Sequence, residues 1–229
     1  MTRKMNKKML PLLLLFLCNF AHADHVIVSG GCSLNRWEHY RVAQDQHDKW
    51  WGNFIRGGTM RMDEIRKAYG PSVPIIWIVY RPAYEMRGRE DGKNYVGMID
   101  QQAAKRGATL VWVNTGSGLI SALNARPRGS VKSFDYFGHS NKLCFCIDYG
   151  TEILAVSTQW LHERDLGKIR SSIFASNAYC KSWGCHTGES MSAVWKSKLG
   201  IPLEGARGKT DYRALASGQY PEVSGGWVR

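Results

Sequence analysis

Runs of β-branched and aromatic residues alternate with helix-spaced segments along almost the whole chain, and this alternation limits the fold more than any other feature. "HVIVSGG", "VPIIWIVY", "TLVWVNTG", "VKSFDYFGHSN", "SSIFASNAYC" and "IPLEGARG" each read as a short, largely buried strand. Between the first two, residues 36–67 place Trp37, Tyr40, Ala43, His47 and Trp50 or Trp51 at spacings of three and four, with Asn53 and "RGG" expected to split the segment into two helices. "YVGMIDQQAAKRGA", "SGLISALNA", "LHERDLGKIR" and "ESMSAVWKSKLG" also have helical spacing. "MRGREDGKN" reads as a surface loop, "KLCFCIDYG" as part of a small hairpin and "YPEVSGGWVR" as an irregular tail. The pattern predicts an α/β fold, a mostly parallel sheet with helices on both faces, and 229 residues suffice for one such domain with a substantial core. Ligands on such sheets bind beyond the carboxyl ends of the strands. His139 lies at one such end, and Cys180 and Cys185 follow another.

The N-terminus is a separate object. "MTRKMNKK" is a basic segment, "MLPLLLLFLC" an apolar one, and Ala21-His22-Ala23 a small-residue cleavage site. Together they read as a secretory signal peptide over residues 1–23, leaving residues 24–229 as the domain. The apolar run is short for a membrane span, and no later segment offers one. Leu17 before Cys18 does not suit a lipoprotein cleavage site. The expected location is therefore secreted or periplasmic, without membrane insertion after cleavage. Losing the four charges of Arg3, Lys4, Lys7 and Lys8 lowers the formal charge from +12 to +8. The remaining basic residues are scattered and match no nucleic-acid-binding module, so no nucleic-acid partner is expected.

Five cysteines follow the leader: Cys32, Cys144, Cys146, Cys180 and Cys185. Export implies an oxidising compartment, where pairing is expected, and an odd number leaves at least one thiol unpaired within the monomer. Cys144 and Cys146 share a face of one strand and are expected to pair with Cys32 or Cys180 or to be buried. Other motifs fail on spacing. "LEGARGKTDY" has Leu203 where a phosphate-binding loop needs glycine. "LHERDL" has Leu166 where a zinc-protease helix needs its second histidine. In "QDQHDKWW", Gln44 and Asp48 read as an exposed polar helix face, with His47 partly buried.

What remains is "FDYFGHSN" together with "WGCHTGES". A thiol becomes a useful nucleophile beside a base or a helix N-terminus. Thr187 or Ser190 would cap the helix after Cys185, and His139 would meet Cys185 if their strands are neighbours. Gly184 and Gly188 would admit a substrate backbone, and N–H groups around Gly138, Ser140 and Gly184–Cys185 would hold an oxyanion. The competing reading is a local Cys180–Cys185 disulfide beside a strand-end histidine.

These residues resemble the caspase-like cysteine peptidases, the superfamily of caspases, metacaspases, legumains and gingipains. Tyr136-Phe-Gly-His-Ser140 stands where metacaspases have Tyr-Ser-Gly-His-Gly, and Trp183-Gly-Cys-His-Thr-Gly188 is similar to their nucleophile motif. Tyr40-Arg41 weakly resembles the opening of the first legumain helix. The resemblance implies a three-layer sandwich, His139 as general base, Cys185 as nucleophile, a peptide or protein substrate, and no metal or organic cofactor. Three departures accompany it. Ser140 replaces the glycine after the base. The strand is expected to end near Cys180, which leaves an insertion before Cys185 and makes Cys180 the alternative nucleophile. The specificity pocket has no matching motif; an acidic pocket lined by Asp135, Asp148 or Glu189 is one option. The sequence thus points to a secreted cysteine endopeptidase working through a thioester acyl-enzyme. Its rivals are a non-catalytic binding protein that uses its basic surface and a cysteine amidohydrolase acting on cell-wall peptides.

Overall fold

Asp24–Ser29 (β1) and Ile75–Tyr80 (β2) are buried at every position, as central parallel strands covered on both faces must be. The structure, a computed structural model, describes residues 23–229. The signal-peptide reading therefore lies, apart from Ala23, outside the described residues. In chain order the elements are β1, α1 (Asn35–Glu38), α2 (Asn53–Tyr69), β2, α3 (Arg81–Asp91), α4 (Tyr95–Lys105), β3 (Thr109–Val113), α5 (Gly116–Asn124) and β4 (Val131–Phe137). There follow β5 (His139–Ser140), β6 (Cys144–Cys146), β7 (Leu161–His162), β8 (Phe174–Ser182), α6 (Met191–Leu199), β9 (Leu203–Ala206), β10 (Thr210–Asp211), β11 (Glu222–Val223) and β12 (Trp227–Val228).

The fold is α/β. Seven strands form one sheet in the order β12-β9-β8-β4-β1-β2-β3, parallel except where β12 pairs with β9. Alternate residues of the strands enter different cores, because successive side chains point to opposite faces. Val26 and Val28 pack with Phe134, Tyr136, Leu119 of α5 and Trp195 of α6. Ile27 packs with Trp77, Phe54 and Met62 of α2 and Ile99 of α4. The chain runs outward from β1 through β2 to β3, then returns to build β4, β8 and β9 on the other side of β1. A ligand crevice is expected beside such a reversal.

Three expectations need correcting. α2 is unbroken through Gly57 and Gly58. A Cβ at Gly57 would lie 2.5 Å from the Phe137 ring, so the glycine brings the helix onto the sheet rather than ending it. Ahead of it, residues 36–51 form only α1 and short 3-10 turns. There the Arg87 guanidinium takes the carbonyls of Ser33, Asp48 and Lys49, which removes acceptors a continuous helix would use. The "MRGREDGKN" stretch is largely helix α3, with Pro82 in its first turn and Gly92 closing it at φ 62°. The tail is also ordered into β11 and β12, and β12 extends the main sheet.

Candidate functional site

β4 and β8 are parallel neighbours, with Tyr136 in register with Ser182. His139 and Cys185 each lie three residues beyond that pair, past the carboxyl ends of adjacent strands. β8 does not stop near Cys180. It continues to Ser182, because Cys180 and Lys181 pair with Leu203 and Glu204 of β9 and the Lys181 ammonium binds the Glu204 carboxylate at 2.7 Å. No insertion therefore separates the strand from Cys185. The two strand ends are tied by Tyr212, whose hydroxyl donates to the Trp183 carbonyl at 3.0 Å and accepts from the Gly138 N–H at 3.3 Å.

His139 is held on three sides. Phe54 meets its ring edge-on at 5.0 Å between centroids, and Tyr149 lies at 4.2 Å. Its Nε2 is 2.6 Å from Oδ2 of the fully buried Asp48. Burial pushes the Asp48 carboxyl up, but the His139 ring, the Ser33 N–H and Arg41 outweigh burial and hold it below the usual carboxylate range. An ionised carboxylate only accepts, so Nε2 carries the hydrogen of this bond, and in the neutral ring the lone pair is on Nδ1.

Asp48 is itself pinned. Its Oδ2 accepts from the Ser33 N–H at 2.7 Å, its backbone N–H donates to Glu38 Oε2 at 3.2 Å, and its carbonyl takes the Arg87 guanidinium at 2.6 Å. Glu38 is buried, with Arg41 at 2.8 Å; burial and the nearby Asp48 raise its carboxyl. The sequence reading set Asp48 on an exposed helix face. The 3-10 turn His47–Lys49 turns it inward instead, and a separation of 91 positions between Asp48 and His139 leaves no local signal of the pairing.

Cys185 is cradled by Thr210. The Thr210 N–H lies 3.3 Å from the sulfur and its hydroxyl 3.4 Å. The next residue, His186, has φ 62° and bonds Glu189 at 2.7 Å, so the chain makes a sharp left-handed turn directly after the thiol. A Cβ at Gly184 would sit 2.2 Å from Ser140 Oγ, which itself donates to the Cys185 carbonyl at 2.7 Å. Neither Thr187 nor Ser190 caps α6 with its side chain. Ser190 is the N-cap residue but its hydroxyl bonds Glu163, and Thr187 bonds the Gly184 carbonyl.

One cavity of about 650 Å³ is lined by His139, Cys185, Ser140, Cys146, Asp45 and Lys209, among others. Two of these lining residues, Lys209 and Asp45, pair at 2.9 Å. Of the expected oxyanion donors, the Gly138 N–H is taken by Tyr212 and the Gly184 N–H by Ser182 Oγ at 3.3 Å. Ser140 differs. The Asn141 N–H bonds the Cys144 carbonyl, so the adjacent Ser140–Phe145 pair is a non-hydrogen-bonded one, and the Ser140 N–H points away from β6.

Cys180 is fully buried in the core beside Phe134, where burial and then Asp135 raise its thiol. It does not reach the cavity, and the five described cysteines are all free, so Cys180 and Cys185 are unpaired. The acidic-pocket residues are used elsewhere. Asp135 binds Arg61 and Trp183, Asp148 binds Thr151 and Thr158, and Glu189 binds His186 and the Gly208 N–H. The carboxylate lining the cavity is Asp45. Among the described residues, no cluster of three or more His, Cys, Asp or Glu side chains is placed to hold a metal ion, and no helix is long and apolar enough to cross a membrane.

No family model matches this chain, and neither the curated proteins nor the solved structures give a significant match.

Proposed function

We propose that the domain is a caspase-like three-layer sandwich and that the protein is an exported cysteine endopeptidase, with Cys185 as nucleophile and His139 as general base. One observation carries the reading: the thiol and the imidazole line one cavity past adjacent parallel strands, and a buried carboxylate occupies the other ring nitrogen of His139. The leader-like residues 1–23 support export.

In this mechanism His139 Nδ1 takes the thiol proton and Asp48 stabilises the imidazolium that results. The Cys185 sulfur attacks the scissile carbonyl. The N–H groups of Cys185 and Ser140 hold the oxyanion; a backbone donor at Ser140 does not need the glycine common at that position in the caspase-like enzymes. Collapse expels the amine, which takes its proton from His139 and leaves a thioester on Cys185. His139 then deprotonates water, which attacks the thioester and releases the acid. A substrate carbonyl must enter between ring and thiol, since the sulfur of the free protein rests against Thr210.

The test is a peptide library incubated with the protein lacking residues 1–23, with cut bonds mapped by mass spectrometry. Cleavage is expected, and Cys185→Ala and His139→Ala should each lower it by roughly 10²–10⁴-fold. Undiminished cleavage by both variants, or no cleavage by any form, contradicts the proposal.

A further inference from the structure

We propose that Cys144 and Cys146 are a reversible dithiol–disulfide couple that moves His139 and thereby controls the reactivity of Cys185. The couple stands on its own geometry; the control of an enzyme by it rests on the peptidase reading.

β6 is Cys144-Phe145-Cys146, and its alternation separates two roles. Phe145 is buried and stacks on Tyr136 at 4.2 Å, which anchors the strand in the core. The two thiols share the opposite face, with their sulfurs 3.8 Å apart. Cys32 and Cys180 are buried in separate cores, so neither competes for them.

Register links the pair to the base. Cys146 lies directly opposite His139 across the β5–β6 ladder, and Cys144 lies opposite His162 of β7. Residues directly opposite in an antiparallel pair carry neighbouring side chains on one face. Cys146 also lines the cavity that holds His139 and Cys185.

The two thiols are unequal in the way exchange chemistry needs. Cys144 is partly exposed, and the hydrogen bond from Cys146 lowers its thiol below the usual cysteine range, against its own burial. Cys146 is buried, and its bond to Cys144 together with that burial pushes it up. Cys144 is therefore the attacking sulfur and Cys146 the resolving one.

The oxidant is an external disulfide, such as glutathione disulfide. The Cys144 thiolate attacks one of its sulfurs; a mixed disulfide forms and one thiolate leaves. Cys146 then gives its proton to solvent and attacks the Cys144 sulfur, expelling the second thiolate. Two protein thiols are oxidised and one external disulfide is reduced to two thiols.

Bridging requires the sulfurs to close from 3.8 Å to about 2 Å. Residues two apart on an extended strand stand roughly 6.8 Å apart at Cα, the upper limit for a disulfide. β6 must shorten, and Cys146 moves relative to His139. The 2.6 Å His139–Asp48 bond is then loosened. Such a bridge is strained, which is the labile and regulatory kind.

The protein lacking residues 1–23 is equilibrated in glutathione buffers of graded potential, quenched with N-ethylmaleimide and mapped by mass spectrometry. In parallel, the iodoacetamide rate at Cys185 is read from its own peptide. The expected result is a reversible loss of two hydrogens in the peptide carrying Cys144 and Cys146. The Cys185 rate should fall by about fivefold or more over the same potentials. Cys144→Ser should make that rate insensitive to the buffer. Two free thiols in the most oxidising buffer, a bridge from Cys146 to Cys185 instead, or a bridge that leaves the Cys185 rate unchanged would overturn the proposal. None of these readouts uses a peptide substrate, so a failed peptidase assay is distinguishable from a failed switch.

Discussion

Asp48 Oδ2 and His139 Nε2 lie 2.6 Å apart although the residues are 91 positions apart in sequence. The contact occupies Nε2 and leaves Nδ1 as the ring nitrogen open to a reaction in the shared cavity. Asp48→Asn keeps the shape but presents an amide that can also donate, which allows the wrong tautomer. Peptide cleavage should fall on the order of a hundredfold or more with the fold intact by circular dichroism. A variant that cuts at the normal rate would remove Asp48 from the account.

Gly184 sets the position of the thiol. Because an added Cβ would lie 2.2 Å from Ser140 Oγ and 3.0 Å from the Gly138 carbonyl, Gly184→Ala must displace the turn that carries Cys185. Cleavage should drop by about a hundredfold, as expected when reacting groups are misplaced by an ångström. Ser140→Gly in the same chain removes the nearest clash and should restore part of the loss. No recovery would place the strain elsewhere.

Gly57 tests helix packing against helix propensity. Alanine is the better helix former by about 1 kcal/mol. Its methyl, however, would lie 2.5 Å from the Phe137 ring. Gly57→Ala should therefore destabilise by about 1–3 kcal/mol, read from the urea midpoint. A stabilised variant would contradict the close approach of α2 to β4.

His25 gives the protein a pH dependence away from the site. Its ring is buried, bonds Ser133 at 2.8 Å, and is held at about 4, chiefly by burial and then by Arg61. On acidification the unfolded chain binds this proton first, near pH 6.5. Stability should thus fall between pH 6.5 and about 4, by up to about 3 kcal/mol, and this contribution should level off below. Asp48 acts at lower pH: its depressed carboxyl stabilises the fold above the ordinary carboxylate range, and that contribution is lost as pH falls through its folded value. Melting temperature against pH, with and without His25→Gln, checks the first window. A variant with the wild-type profile would contradict it.

Strands such as "VPIIWIVY" were legible because burial on both faces writes a continuous apolar run. The placement of His139 and Cys185 past strand ends was legible because glycines and polar residues mark where the apolar strands stop. The rest was written in contacts distant in sequence. "RGG" reads as a break, yet it is the face on which α2 meets Phe137. "MRGREDGKN" reads as a loop, yet Arg87 is buried because three carbonyls and Asp91 take its guanidinium. The same arginine holds the loop that presents Asp48, so the two placements depend on one set of distant contacts. Thr210 and Tyr212 lie in the segment after β9, where no spacing rule links them to Cys185 or Gly138.

In the proposed mechanism His139 activates Cys185. The most direct test is the rate of iodoacetamide labelling at Cys185 near neutral pH in fully reduced protein, read from the Cys185 peptide by mass spectrometry. The rate at Cys185 should drop by about tenfold or more in His139→Ala and by a smaller factor in Asp48→Asn, while labelling of Cys144 stays unchanged. A Cys185 rate indifferent to both substitutions would show that the thiol and the imidazole share a cavity without sharing a proton, and the peptidase reading would fall.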